Sequence, residues 1–142
     1  MESKNSIDIN ADLGEFRNEI QLSNELEILK YISSCSVACG GHIGTNKSVR
    51  LILEECRKYG VAIGPHPSYP DKEGFGRRKM DISLKDLDKS LRKQIQYFFG
   101  IANSLSMPVR HIKLHGTLYN ETARQENLIN LLLNIVDSIE DK

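Results

Sequence analysis

Residues 109–120 read VRHIKLHGTLYN. Side chains two apart on a strand share a face, so His111, Lys113 and His115 fall on one side and Ile112 and Leu114 on the other. One polar face and one aliphatic face, followed at once by a glycine, predict a strand lining an enclosed space and backed by helices. The same pattern recurs upstream. In IDINADLGE (residues 7–15), Asp8 and Asn10 share a face, with Ile7 and Ile9 on the side expected to meet the helices. Two further short runs place Ser36 with Ala38, and Ala62 with Gly64, at the matching inward positions.

Working outward, each apolar run is followed by a loop rich in Gly, His or Asp and then by a stretch at helical spacing. The unit occurs four times, with strands near Ser6–Asn10, Cys35–Cys39, Val61–Gly64 and Val109–Leu114. The first helix is expected from about Asn24 through Leu26, Leu29 and Ile32. The second starts near Thr45 and buries Val49, Ile52, Leu53 and Cys56. In the third, Ser83 with Asp86 resembles a capping box, and Leu84, Leu87, Leu91, Ile95, Phe98, Ala102 and Leu105 recur at three- and four-residue steps. The fourth is expected from about Thr122, burying Leu128, Leu132, Ile135 and Ile139, with a frayed polar end over residues 137–142. Alternating strands and helices predict parallel pairing with right-handed crossovers, in an open sheet or part of a barrel.

The composition narrows the partners. Nineteen Lys plus Arg balance nineteen Asp plus Glu, so no net field draws the chain to nucleic acid or anionic lipid. The opening MESKNSIDIN has no signal-peptide core, and no run approaches the roughly 20 apolar residues that span a bilayer, so a cytoplasmic single domain over residues 1–142 is expected. Cys35, Cys39 and Cys56 are odd in number and sit in small-residue or apolar stretches, the pattern of reduced thiols.

In parallel α/β folds the reactive groups gather where strands end and loops converge. Here those positions hold IDINADLGE, VACGGHIG, GPHPSYPD and HIKLHGTLYN, and three of the four histidines, His42, His66 and His115, fall in them. Asp12, His42, His66, Lys113 and His115 are therefore the catalytic candidates, with Asn10, Glu15, Arg77 and Tyr119 as substrate-binding candidates. Carboxylates and imidazoles suit proton transfer, and Lys and Arg suit anion binding. Each has a plainer reading: Asp8 as a structural carboxylate, Asp12 with Gly14 as a turn device, Glu15 as a loop charge, Arg77 and Arg78 of GFGRR as surface charge, the tyrosines as packing. Lys113 on an inner strand needs a carboxylate partner or a chemical role. Neither a GxSxG elbow nor a Walker A loop is present.

These same strings resemble the LamB/YcsF family, to which the 5-oxoprolinase A subunits belong. The family pattern runs DLNADLGE, NIACGFHAGD, GAHPSYPD with GFGRR, and KPHGALYN; here it reads IDINADLGE, SVACGGHIGT, GPHPSYPDKEGFGRR and KLHGTLYN, in the same order. The resemblance implies a partial (β/α) barrel of the glycoside hydrolase and deacetylase type, with four βα units and parallel strands. It further implies a hydrolase that opens 5-oxoproline to L-glutamate with ATP hydrolysis, working with subunits B and C. By position, the family's polar groups carry over to Asp12, Glu15, His42, His66, Lys113 and His115. Thr45 stands where the family usually has Asp, and either residue can cap the next helix. The family's later strands have no counterpart here, so this short chain alone is expected to be inactive and to self-associate through open sheet edges.

Two other functions compete. A metal-dependent deacetylase would group Asp12, His42 and His115 around one divalent ion, although the sequence by itself assigns no metal. An inactive truncated barrel would serve only as an interaction module.

Overall fold

The structure, a computed structural model, describes residues 6–140; the part of the leader reading that falls on residues 1–5 lies outside it, as do residues 141–142. Three strands, β1 (Asn10–Leu13), β2 (Ser34–Ala38) and β3 (Ala62–His66), pair in parallel in the order β1-β2-β3. Asp12 sits opposite Ser36, and Ser36 opposite Gly64. Five helices follow or connect them: α1 (Glu19–Ile28), α2 (Asn46–Tyr59), α3 (Leu84–Ser104), α4 (Gly116–Thr122) and α5 (Glu126–Glu140). No helix among the described residues is long and apolar enough to cross a membrane.

The alternation of strand and helix is as expected, and so is the parallel sheet of a partial barrel. The first strand differs in place: it runs over Asn10–Leu13 rather than Ser6–Asn10. Side chains of the next strand tie down the preceding residues. The Ile9 amide donates to Ser33 Oγ (2.9 Å), and the Asp8 carboxylate accepts from the Ser33 and Ser34 hydroxyls. Such side-chain bonds compete with a regular ladder. Ile7 and Ile9 consequently do not meet the helices; they are 84% and 52% exposed, and Ala11 and Leu13 face the core instead.

The fourth run, Val109–Leu114, lies alongside β3 without becoming a regular strand. It makes one bridge, Ile63 with Val109, and then the Arg110, Lys113 and His115 amides donate to the carbonyls of Ile63, Pro65 and Pro67. Residues 65 and 67 are prolines, with no N–H to return a bond, so the ladder is one-sided. Gly64 permits the close approach, since a Cβ there would collide with the His111 carbonyl.

The helices carry their expected signals with three changes. Thr45 caps α2 in a reciprocal capping box with Ser48, and Ser83 caps α3. Val49, Ile52, Leu53 and Cys56 are fully buried, as the spacing required. Helix α1 begins at Glu19 rather than near Asn24, because the Asn18 side chain caps it by accepting from the Gln21 amide. The segment before α5 forms the short helix α4, and α5 continues through Asp137 to Glu140, where fraying was expected. Helix α3 joins two apolar clusters: Phe98, Ile101 and Ala102 pack toward the sheet and α2, while Leu87, Leu91 and Ile95 pack toward α4 and α5. All three cysteines are buried and unpaired, and burial pushes the Cys39 thiol up to about 12.

Candidate functional site

The segments beyond β1, β2, β3 and the fourth run converge at one end of the sheet. Glu15 is delivered by the turn after β1. The Gly14 and Glu15 amides donate to the Glu25 carboxylate of α1 (2.7 and 3.0 Å), which anchors that turn. Glu15 Oε1 lies 2.7 Å from His42 Nε2, 3.4 Å from His115 Nδ1 and 3.9 Å from His66 Nε2. One carboxylate oxygen therefore faces three imidazoles.

The rings are held from behind. His66 Nδ1 is 2.7 Å from the Lys113 carbonyl, and His115 Nε2 is 2.9 Å from the Phe75 carbonyl. A carbonyl can only accept, so those two nitrogens carry the protons. His42 Nδ1 lies 3.0 Å from Ser68 Oγ, whose own hydrogen goes to the Tyr69 carbonyl (2.8 Å); Ser68 thus accepts from His42. Gln94 of α3 clamps Ser68 by accepting from its amide (3.0 Å) and donating to its carbonyl (2.9 Å). His42 stacks on His115, with centroids 3.7 Å apart and planes 4° from parallel, whereas His66 stands at 81° to His115. Gly76, at φ 65°, closes over this stack; a Cβ there would come within 3.0 Å of the His115 ring.

On the open side, Lys113 Nζ donates to Asp12 Oδ1 (2.7 Å), and Asp12 Oδ2 lies 3.4 Å from His66 Nε2. Lys113 is thus not an unpaired buried cation: it has its carboxylate, and its side chain is 41% exposed. Burial pushes the Asp12 carboxyl up, but the Lys113 ammonium and the adjacent His66 outweigh it and hold it well below the usual range. Glu15 behaves alike: burial raises it, and the bond from His42 with the nearby imidazoles brings it below its ordinary value. Burial, reinforced by His42, lowers His115.

A cleft of about 270 Å³ opens over these groups, lined among others by Asp12, Glu15, His66, Arg77, Lys113 and Tyr119. Arg77 lies over the Phe75 ring at 5.3 Å. Its neighbour Arg78 is turned away, paired with buried Asp71. Asn10 stands lower on the polar face, between Ser34, Ser36 and His111, and is not among the residues lining the cleft. A somewhat larger hollow of about 310 Å³ behind Gly40, Gly41 and Gly44 is lined by Lys72 and Lys93 and has no carboxylate or imidazole in its lining.

Sequence reasoning did not single out Ser68, Phe75, Gln94 or Glu25. Gln94 had a signal: it falls three residues after Leu91 in the apolar stripe of α3, and a polar residue on a buried stripe needs partners. The Phe75 and Lys113 carbonyls had none, because backbone atoms leave no trace in residue type.

The sequence profile of the LamB/YcsF family matches residues 7–142, which takes in every group of this site. The chain belongs to the LamB/YcsF family. Among curated relatives, the 5-oxoprolinase A subunit of Campylobacter jejuni subsp. doylei is 42% identical over 135 residues, covering 95% of this chain and 53% of the relative. That of Thermococcus sibiricus is 37% identical over 132 residues, covering 92% and 52%. The crystal structure of the lactam utilization protein from Thermus thermophilus superposes with a TM-score of 0.84 at 30% identity, over 94% of this chain and 54% of that one. The chain spans about half the length of the relatives it matches.

Proposed function

We propose that this chain forms the lactam-binding wall of a 5-oxoprolinase A subunit. Such a hydrolase converts 5-oxoproline to L-glutamate in an ATP-dependent reaction with subunits B and C. The observation that carries this reading is the convergence of Asp12, Glu15, His66, Lys113 and His115 on one cleft, with His42 against Glu15 behind it, in a chain whose relatives bear that name. Arg77 and Lys113 are the cations available to the substrate carboxylate. Ring opening adds a water oxygen to the lactam carbon, breaks its bond to nitrogen and delivers a proton to that nitrogen. Glu15, steadied by His42, would take the water proton and return it to that nitrogen.

ATP would supply a phosphoryl group to the lactam oxygen, making its carbon more electrophilic; expulsion of the ring nitrogen would then leave an acyl phosphate, and its hydrolysis would release phosphate and the new carboxylate. The cleft's two cations stand against two carboxylates, Asp12 and Glu15, so it has no positive surplus for a triphosphate. We therefore route no step of this chain through the nucleotide and place its chemistry with the partner subunits. In this reading the reaction is cytoplasmic, where unpaired thiols such as Cys35, Cys39 and Cys56 persist.

The test is a titration of the isotope-labelled chain with 5-oxoproline, followed by amide chemical shifts, with L-proline as the control that lacks the lactam oxygen. Saturable shifts around Asp12, His66 and Lys113 are expected for 5-oxoproline, weakened in Lys113→Met and Arg77→Met. Equal response to L-proline, or 5-oxoproline shifts that neither variant alters, would remove this assignment.

A further inference from the structure

Two ring nitrogens in this site face each other with nothing to share. His66 carries its proton on Nδ1 and His115 on Nε2, each committed to a backbone carbonyl. In the neutral rings the remaining nitrogens, His66 Nε2 and His115 Nδ1, are both bare, and they lie 3.0 Å apart. Two lone pairs at that distance repel unless a positive centre joins them. Two carboxylate oxygens border the same space: Asp12 Oδ2 is 3.4 Å from His66 Nε2, and Glu15 Oε1 is 3.4 Å from His115 Nδ1 and 3.9 Å from His66 Nε2.

We infer that His66 Nε2, His115 Nδ1, Asp12 Oδ2 and Glu15 Oε1 form a binding site for one first-row divalent transition-metal ion. Four of the six donor pairs lie 3.0–3.9 Å apart, around the roughly 3.3–3.4 Å that separates donors about 2.0–2.1 Å from a tetrahedral zinc ion. The donor set of two imidazoles and two carboxylates suits zinc, cobalt, manganese or iron rather than calcium or magnesium. The outer contacts also fit. A metal-bound histidine ordinarily donates its other N–H to a carbonyl or carboxylate, which fixes ring and tautomer, and both rings do so here.

His42 also lies near Glu15 and His115, and those three offer a rival grouping. Ring orientation excludes it as the preferred set. An imidazole lone pair lies in the ring plane, and the His42 and His115 planes are 4° from parallel with centroids 3.7 Å apart, so their lone pairs do not meet at one ion. The His66 and His115 planes cross at 81°. His42 instead orients Glu15 from the side, through the 2.7 Å contact.

This site goes beyond the lactam reading and does not depend on it, because it is read through metal binding rather than substrate. The chelator-stripped chain is dialysed against zinc(II), bound metal is measured by elemental analysis, and cobalt(II) is used separately to report coordination by visible absorption. One equivalent per chain is expected, with the tetrahedral cobalt spectrum and a zinc-dependent rise in melting temperature. His66→Gln and His115→Gln should each weaken binding by at least about tenfold. Because both rings are buried, Asp12→Asn supplies a variant at a partly exposed position; with unchanged far-UV circular dichroism it should also lose the zinc-dependent melting shift. His42→Gln should retain the bound equivalent. No stoichiometric binding by the parent chain, undiminished binding in His66→Gln or His115→Gln, or complete loss in a folded His42→Gln would each overturn the assignment.

Discussion

His66 and His115 each spend one ring nitrogen on a backbone carbonyl and turn the other inward; that choice, made residue by residue, is what gives the cleft its character. The inward parity of Lys113 and His115, and the placing of His42 and His66 at or just past their strand ends, were legible from alternation and position alone. The carbonyls that fix the rings were not, because any residue type supplies one. Gly64 shows the same limit, since only the passing His111 backbone and ring explain its lack of a side chain. Gly64→Ala should therefore destabilise the chain by about 1–3 kcal/mol, the range for overpacking a filled interior, seen as a lower urea midpoint. Lys113→Met should act differently. Its ion pair with Asp12 is partly exposed, and such pairs contribute about 0–1 kcal/mol, so its urea midpoint should move little; a large drop would mean that the pair is structural.

At the scale of elements, helices with a cap and a stripe were legible and the strand register was not. Thr45 and Ser83 announce α2 and α3 because a side-chain acceptor at the N-cap does the same local work in any fold. The start of β1 depends on Ser33 and Ser34 far along the chain, and the irregular fourth run depends on Pro65 and Pro67 of its neighbour. Thr45→Ala should cost about 0.5–2 kcal/mol in denaturant unfolding, and Thr45→Asp, which restores the family's usual residue, should be neutral or mildly stabilising. The loop that carries Phe75 and Arg77 is pinned by Asp71, which accepts from the Gly74 amide (2.9 Å) and pairs with Arg78. Arg78 holds the Asp71 carboxyl below the usual range. A folded-state value below the unfolded one gives stability that is present above the ordinary aspartate range and lost as pH falls below about 4. Asp71→Asn should lower the urea midpoint at neutral pH and flatten its decline between neutral pH and pH 3; an unchanged acid slope would show that the pair is not linked to folding.

At the scale of the whole molecule, β1 pairs with β2 on one side only among the described residues, and Ile7 and Ile9, just ahead of it in the chain, lie exposed. An uncovered strand edge with apolar neighbours is a pairing template, so gel filtration should show concentration-dependent self-association, reduced by Ile9→Lys; a monomer at all concentrations would argue against it. The parallel architecture was legible because four βα periods leave few alternatives, whereas the exposure of Ile7 and Ile9 was not, since alternation names two faces without saying what covers each. The central claim is that segments following the three strands and the fourth run build one site in which His66 and His115 are oriented by backbone carbonyls with their free nitrogens inward. Its most direct test is nitrogen-15 NMR of the histidine rings in the chelator-treated chain at mildly alkaline pH. The expected result is a proton on Nδ1 of His66 and on Nε2 of His115; a bare Nδ1 on His66, or a bare Nε2 on His115, would contradict it.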